Sequence, residues 1–401
     1  MAINREKGPS EQRRSGYRAV VRREIRRIIS RRRYALLMLV LPLVSFLVSW
    51  AIFSEQSPRD MPVAVVDLDH SPLSRSLVNA VDAAASMQVA HQPADTAAGR
   101  EAILRGQAYA MIVIPHNLER DIKKGLGGQV IGYYNAQMLL AGSIISSSLQ
   151  AAVDTVSAEL SYDTRLRGGS SGPVALARIE PVRIDRHTLF NPQFNYIYFL
   201  VLALWPTFLQ IFVMMTAVVA LGEELKESTA QRWLATAGGS VWRAATGKLT
   251  PYFIHFSTLG LLMLWGLFNG LGVSVPGSVV YLVLATLLLV LAYLSCGLVV
   301  VAFNPSFRMA LSVTSFFAGA AFAFVGLTFP QAGMPPLART WSNLLPLTHY
   351  LHILLEQAVR GAAVTTSFLD TIILCGYVVP AVGLLPLLRK SLENADGQGL
   401  L

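Results

Sequence analysis

Six apolar runs, each about as long as a bilayer is thick, limit what this chain can fold into. They read as Tyr34–Phe53, Phe194–Leu221, Leu249–Leu271, Val279–Phe303, Ala310–Phe329 and Phe368–Leu388. A helix needs about 20 apolar residues to cross the hydrocarbon, and it pairs its own backbone groups where water cannot. Composition agrees. The chain is 53% hydrophobic and 14% charged, against roughly 25% charged in soluble domains. The expected fold class is an α-helical membrane protein with six transmembrane helices. An extracytoplasmic α/β domain is inserted between helices 1 and 2.

The net charge of +9 is concentrated at one end. Residues 1–33 hold twelve arginines and lysines against Glu6, Glu11 and Glu24, and the rest of the chain is balanced. Within this head Tyr17, Val20, Val21, Ile25, Ile28 and Ile29 recur at helical spacing with arginines between them. That pattern describes an amphipathic helix lying in the headgroup plane. It is followed by an uncleaved anchor. The apolar run after it is too long for a signal peptide and lacks a small-residue cleavage site. A nucleic-acid-binding arm is disfavoured on the same grounds, and no nucleic-acid partner is expected.

Positive charge marks the cytoplasmic side. The head, residues 1–33, is therefore placed inside, followed by helix 1 at 34–53 and the extracytoplasmic domain at 54–193. Helices 2–6 occupy 194–389, with a cytoplasmic loop at 222–248, an outer hairpin at 330–367 and a cytoplasmic tail at 390–401. Arg308, Arg389 and Lys390 fall on the cytoplasmic side, and the aromatic stretch "FNPQFNYIYF" (190–199) marks the outer interface. Prolines and an apolar rim around Met334, Pro335, Pro336 and Trp341 suit a hairpin that dips into the membrane against protein.

In the inserted domain, strands are expected at Val63–Val66, Met87–Ala90, Ala108–Ile114 and Val130–Tyr134. Helices are expected from Ser71-Pro72, over Thr96–Arg105, after Asn117, and from about Gln137 to Leu166. Strands alternating with helices indicate an α/β unit. Gly168–Gly172 reads as a turn, and Arg178–Asp185 as an extended return to the membrane. The "DLDHSP" at 67–72 resembles a metal or phosphoryl-transfer pair. Such a site would also need a downstream lysine and a second acidic pair arranged around the metal, no convincing set accompanies it, and Asp suits a strand-to-helix turn. The turn reading is preferred to an enzyme built on Asp67, Asp69 and His70.

The spans contain almost no charge, with Gln210, His255 and Asn269 as the notable polar residues near or within them. Ion-coupled transporters usually place Asp, Glu or Arg within the membrane, so secondary transport is disfavoured. Gln210 and His255 are candidates for a translocation path, although inter-helix hydrogen bonds explain them more simply. Cys296 and Cys375 lie in apolar runs with no cysteine–histidine cluster, so neither a zinc site nor a disulfide framework is expected.

Five stretches in order carry a resemblance over about Arg22 to Lys390: "VAVVDLDHSPLSRSLVNAV", "AILRGQAYAMIVIPHNLERDIKKG", "FNPQ", "GEELKESTAQRWLATAGGSVWRAATGKLTPY" and "FPQAGMPPLARTWSNLLPLTHYLHILLEQAVRG". The chain resembles the permease subunits of ABC-2-type ABC transporters, in the branch with a large extracytoplasmic domain after the first helix. The resemblance implies that 222–248 is a coupling segment seated in a cleft of an ATPase subunit, with Glu223, Glu224, Glu227, Arg232 and Trp233 as coupling residues. Trp233 and Trp242 are expected to be exposed there, which sets the segment apart from a solvated connector.

A phosphate-binding loop needs G-x-x-x-x-G-K-[ST]. At Gly247-Lys248 the first glycine position holds Trp242 and the last holds Leu249, so ATP and magnesium belong to a partner ATP-binding subunit. No catalytic, metal or cofactor residues are expected in this chain. The resemblance further implies a bacterial inner-membrane exporter with both termini cytoplasmic. It implies a homodimer or a pair with a paralogous permease, and a periplasmic adaptor (membrane fusion) protein as a partner. Uncharged spans point to an apolar or amphipathic cargo such as a lipid, drug or hydrophobic metabolite. The alternative is a mechanotransmission or receptor protein whose outer domain moves without cargo.

Overall fold

The computed structural model describes residues 15–124, 126–167, 189–192, 194–304 and 306–395, and these divide into two compact units. One joins residues up to Ser54 with those from Tyr196 onward, and the other is Glu55–Asn195.

Six helices in the first unit are long and apolar enough to cross a membrane. They are Arg32–Phe53, Ile197–Lys226, Val241–Gly270, Val279–Phe303, Phe307–Phe324 and Phe368–Lys390. All six expected spans are present, most with shifted ends; the fifth runs from Phe307 to Phe324 against an expected Ala310–Phe329. The second continues five residues past Leu221, and the third begins eight residues before Leu249. The expected loop 222–248 therefore shrinks to residues 227–240. That loop holds a short helix, Ala230–Thr236, and a turn at Gly238-Gly239, where φ is +70° and +80°. Glycine adopts that left-handed backbone without strain.

The second and fourth spans are the most deeply packed. Ala217, Leu209, Val213, Leu289, Ala292 and Tyr293 belong to one apolar core. At Gly297 the two backbones approach so closely that an added Cβ would lie 2.7 Å from Ala217 Cβ. Small residues permit such contact between membrane helices, where dispersion replaces hydrophobic driving force. By contrast Leu36, Leu39, Val44, Leu47, Val48 and Ile52 on the first span are exposed, as a lipid-facing side requires.

A further helix pair, Pro336–Asn343 and Pro346–Leu355, lies between the fifth and sixth spans. The Leu347 N–H donates to Tyr293 Oη at 3.2 Å. Tyr293 is fourteen residues beyond Val279, about 21 Å along the helix axis at 1.5 Å per residue. The Gln357 carbonyl, in contrast, accepts from Gly277 N at 2.9 Å, at the start of the same span. Pro346–Leu355 thus runs back along the first half of the fourth span. Trp341, placed in this hairpin from the sequence, packs edge-on against Phe317 of the fifth span. The deepest contact comes from the following helix instead.

The second unit carries a four-stranded sheet in the order β2-β1-β3-β4. β1 is Met61–Asp67, β2 Met87–His91, β3 Ala110–Ile114 and β4 Ile131–Tyr134. β1 pairs in parallel with both β2 and β3, and β4 closes the sheet antiparallel to β3. Alternation decides the two faces. Met61, Val63, Val65, Ala110, Ile112 and Ile114 meet helices Pro72–Asp82 and Leu139–Arg167. Val66, Met111 and Val113 turn the other way, toward Ile103 of helix Thr96–Leu104. The expected order of strands and helices is found within a residue or two at each end. Gly168–Gly172 and Arg178–Asp185 lie outside the described residues.

The "DLDHSP" segment is a turn whose acceptors are occupied. Asp67 Oδ1 accepts from the backbone N–H of Asp69 and of His70, each at 3.0 Å, and Oδ2 accepts from Ser74 Oγ at 2.7 Å. Asp69 Oδ2 accepts from Glu119 N at 3.1 Å, which ties the turn to the next helix start. Ser71 caps the helix at Pro72 by accepting from Ser74 N at 3.0 Å. Asn117, an asparagine at a position that favours side-chain capping, precedes its helix in a left-handed conformation and makes no side-chain cap.

Candidate functional site

The N-terminal helix Tyr17–Ser30 packs charged residues against the spans together with part of its apolar stripe, Val20 and Ile28. Val20, Glu24 and Arg27 are its buried residues, at i, i+4 and i+7 on one face. Ile25 and Ile29 stay exposed. Opposite that buried face stand the end of the second span and the beginning of the third.

The arginines form a ladder at four-residue spacing. Arg23 Nη2 donates to Glu224 Oε2 at 2.8 Å. Arg27 donates through Nη1 to Glu224, and through Nη2 to Glu223 Oε2 at 2.9 Å and Glu227 Oε2 at 3.1 Å. Arg31 reaches Glu223 Oε2 at 2.9 Å and Glu227 Oε1 at 2.6 Å, and Arg33 Nε pairs with Glu223 Oε1 at 2.9 Å. Glu24 points the opposite way. Its two oxygens accept from Lys248 Nζ and from Tyr252 Oη of the third span, each at 2.6 Å. Lys248 also donates to Glu224 Oε1 at 2.8 Å, while Tyr34 Oη donates to Glu223 Oε2 at 3.0 Å.

Burying so many charges is costly unless each is paired and hydrogen-bonded. Here four carboxylates meet four arginines and a lysine, so the cluster is close to neutral inside. Burial pulls the Arg27 pKa down, but the field of Glu224 and its neighbours outweighs it, and the guanidinium is held above its ordinary value. The bidentate bond to Glu227 raises Arg31 and depresses Glu227 in turn.

The helix Ala230–Thr236 is fixed to this cluster by its inner side. Trp233 is 0% exposed, its Nε1 donates to the Ala244 carbonyl at 3.2 Å, and Lys248 Nζ lies 5.3 Å from its ring centroid. Leu234 joins the same apolar cluster as Val20, Leu221, Leu225 and Leu388. Thr229 Oγ1 donates to Glu224 Oε2 at 2.5 Å. The outer side presents Gln231, Arg232, Ala235, Trp242 and Arg243.

These positions correct the sequence expectation. Trp233 is not an exposed aromatic, because the segment's apolar residues turn inward at helical spacing. Glu223 and Glu224 are also buried, bound to arginines of the same chain, and offer no open face. Of the five residues singled out for coupling, Arg232 and Glu227 reach the surface. Trp242 does so as expected, at 52% exposure. The Gly247-Lys248 pair, which fails as a phosphate loop, has a packing role. A Cβ on Gly247 would sit 3.0 Å from Val20 Cβ and 3.2 Å from the Tyr17 carbonyl oxygen.

Glu24, Arg27, Lys248 and Tyr252 were not anticipated in this role. Two signals could have suggested them: one glutamate inside an arginine-rich helix, and one lysine ahead of an apolar span. Arg18, Arg22 and Arg26 take no part in the ladder and line an adjoining cleft of about 950 Å³.

The two polar residues noted for a pathway make inter-helix bonds. Gln210 is fully buried and donates to the Ala318 carbonyl at 2.8 Å, while His255 Nε2 lies 2.8 Å from the Met38 carbonyl.

The cluster thus joins the N-terminal helix, the second span and the third span, and carries the short helix on its back. Trp233, Lys248 and Glu224 connect Ala230–Thr236 to both spans. Residues 32–385 match the model of a family described as ABC-2 family transporter protein. No curated protein matches the chain.

Proposed function

Since this chain belongs to the ABC-2 family of transporter proteins, as a multi-pass membrane component that works with an ABC ATP-binding subunit, we propose that it is the permease subunit of an ATP-driven exporter. Its cargo is apolar or amphipathic, such as a lipid, drug or hydrophobic metabolite, taken from the cytoplasm or inner leaflet. The ATPase subunit docks on the outward side of Ala230–Thr236 and the turn after it, where Arg232, Trp242 and Arg243 are exposed. Glu223, Glu224 and Trp233 act behind that surface, holding it to the spans.

The ion-paired cluster is the observation that supports this reading. A flexible loop would absorb nucleotide-driven motion, whereas a helix tied through buried charge pairs transmits it. In this reading the cluster lies at the cytoplasmic face, the unit Glu55–Asn195 is extracytoplasmic, and the arginine-lined cleft meets anionic headgroups. Two copies, or one copy and a paralogous permease, complete the translocation path in a bacterial inner membrane. The α/β unit is the contact for a periplasmic adaptor.

The experiment is co-purification with the cognate ATP-binding subunit, followed by ATPase and transport assays in inverted vesicles. Replacing Arg232 and Trp242 by Ala should abolish ATPase stimulation while the chain remains folded. Intact stimulation in that variant removes the docking assignment. A second reading draws support from Gln210 and His255 being engaged in helix–helix bonds: the complex would move its outer domain without cargo. ATPase stimulation with no accumulation of any apolar cargo would favour it.

A further inference from the structure

His349 and His352 lie one turn apart on Pro346–Leu355, and Asp370 is the third residue of the last span. His349 Nδ1 is 2.6 Å from Asp370 Oδ1, and His352 Nδ1 is 3.4 Å from that same oxygen. All three donor atoms lie within 4.8 Å of one another. Asp370 is the only charged residue in the apolar run Phe368–Leu388. An ionisable group at such a position marks a functional site by default.

The far side of the His349 ring decides its chemistry. His349 Nε2 stands 3.0 Å from the Asn343 carbonyl oxygen, which only accepts, so Nε2 carries the hydrogen. In the neutral ring Nδ1 is then a bare lone pair aimed at a carboxylate oxygen. Two electron-rich atoms 2.6 Å apart share a proton, or move apart to share a larger cation. With a proton, the same oxygen can also accept from a His352 N–H at 3.4 Å. A metal ion uses all three. Holding one ring nitrogen on a backbone carbonyl is also how proteins fix the tautomer of a metal-bound histidine.

Two imidazoles and a carboxylate form a set that Zn²⁺ accepts, at bonds of about 2.0–2.2 Å. Tetrahedral geometry at that length puts donors about 3.3 Å apart. The His352–Asp370 pair already has that spacing, and the His349–Asp370 pair would open by about 0.7 Å. Exposure rises from His349 at 7% through Asp370 at 17% to His352 at 38%, so the site opens on the His352 side. A fourth ligand and the entering ion have access there. Among the described residues no lysine or arginine pairs with Asp370 to supply the counter-charge.

We propose that His349, His352 and Asp370 form a site for one divalent transition-metal ion, with Zn²⁺ the best fit, that pins helix Pro346–Leu355 to the start of the last span. The site belongs to this chain alone and does not depend on the direction of transport or the docking of the ATPase.

The test uses the full chain, purified in detergent without a histidine tag and stripped with a chelator. Zn²⁺ is measured by equilibrium dialysis and elemental analysis, and its coordination by X-ray absorption. One Zn²⁺ per chain is expected, with a shell of two imidazole nitrogens and carboxylate oxygen. His352→Ala and Asp370→Asn should each weaken binding by at least about tenfold, the loss found even for outer-shell partners. His255→Ala should bind like the parent. Absence of saturable binding, or binding unchanged by both substitutions, overturns the site. If either variant fails to fold, the absorption spectrum of the parent decides: a shell lacking imidazole nitrogen also overturns it.

Discussion

Lys248 Nζ donates to Glu224 Oε1 at 2.8 Å, joining the beginning of the third span to the end of the second, with neither side chain exposed to solvent. Glu24 of the N-terminal helix holds the same ammonium from the other side. Removing one member of a buried charge set leaves the others unpaired, which costs about 3–5 kcal/mol. Lys248→Met should therefore lower the thermal midpoint of the detergent-solubilised chain by many degrees. Lys248→Met combined with Glu24→Gln should recover part of the loss, because one orphaned carboxylate is neutralised. A double variant whose loss equals the additive sum of the two single losses would show that the two residues do not share one cluster.

Two tryptophans nine residues apart should behave oppositely. Trp233→Ala empties a fully buried site and removes the ring beneath Lys248, a loss of about 3–5 kcal/mol. Trp242→Ala changes an exposed side chain and should move stability by no more than about 0.5 kcal/mol. Thermal denaturation of both variants, alongside ATPase stimulation, separates a residue that holds the short helix from one that receives the partner.

Gly247 brings the third span against the N-terminal helix. A Val side chain there would overlap Val20 and the Tyr17 carbonyl, and backbone cannot yield as a flexible side-chain tip can. Gly247→Val should release Tyr17–Ser30 from the spans, while the sheet of Glu55–Asn195 keeps its protection. Hydrogen exchange would report faster exchange in residues 17–30 alone. Uniform protection in that helix would contradict the packing.

The Asp69 carboxylate gives the α/β unit an acid limit. Slight burial favours its neutral form, but hydrogen bonds from Ser71 and from the backbone N–H groups of residues 117–119 outweigh this and hold its pKa below the ordinary Asp value. A group depressed by folding contributes stability above its unfolded pKa of about 3.9, and that contribution is lost as pH falls through the folded value. Between pH 7 and pH 5 the Asp69 contribution should be constant, with loosening of the 67–74 turn and of Leu118–Lys123 below about pH 4. Asp69→Asn should abolish that portion of the acid sensitivity, read by hydrogen exchange in those two segments of the intact chain.

Much of the site was out of reach of the sequence for a definite reason. Periodicity reports which residues share a face of one helix, but not which other helix that face meets. Tyr17–Ser30 shows a clear isoleucine stripe, but Ile25 and Ile29 of it are exposed. The packed face is Val20–Glu24–Arg27, whose charges look like a solvated surface until Glu223, Glu224 and Lys248 are brought opposite. Trp233 was misplaced for a related reason. The loop was read as 222–248, and a tryptophan in a polar loop suggests exposure. Extending the third span back to Val241 sets the Ala244 carbonyl and Lys248 over its ring. His349, His352 and Asp370 are separated by a turn of chain whose path only the packing fixes.

The sequence by itself determined the six apolar helices and the alternating strands of the inserted unit, because burial in lipid or in a sheet imprints a local period on neighbouring residues. It also ruled out an ATP-binding loop at Gly247-Lys248, since that chemistry needs a contiguous string. Tertiary structure alone decided which charges neutralise one another, which tryptophan faces out, and which histidines converge on Asp370. Those pairings join residues as much as 228 positions apart, as Glu24 and Tyr252 are, and the Coulomb and hydrogen-bond terms that select them depend on distance in space.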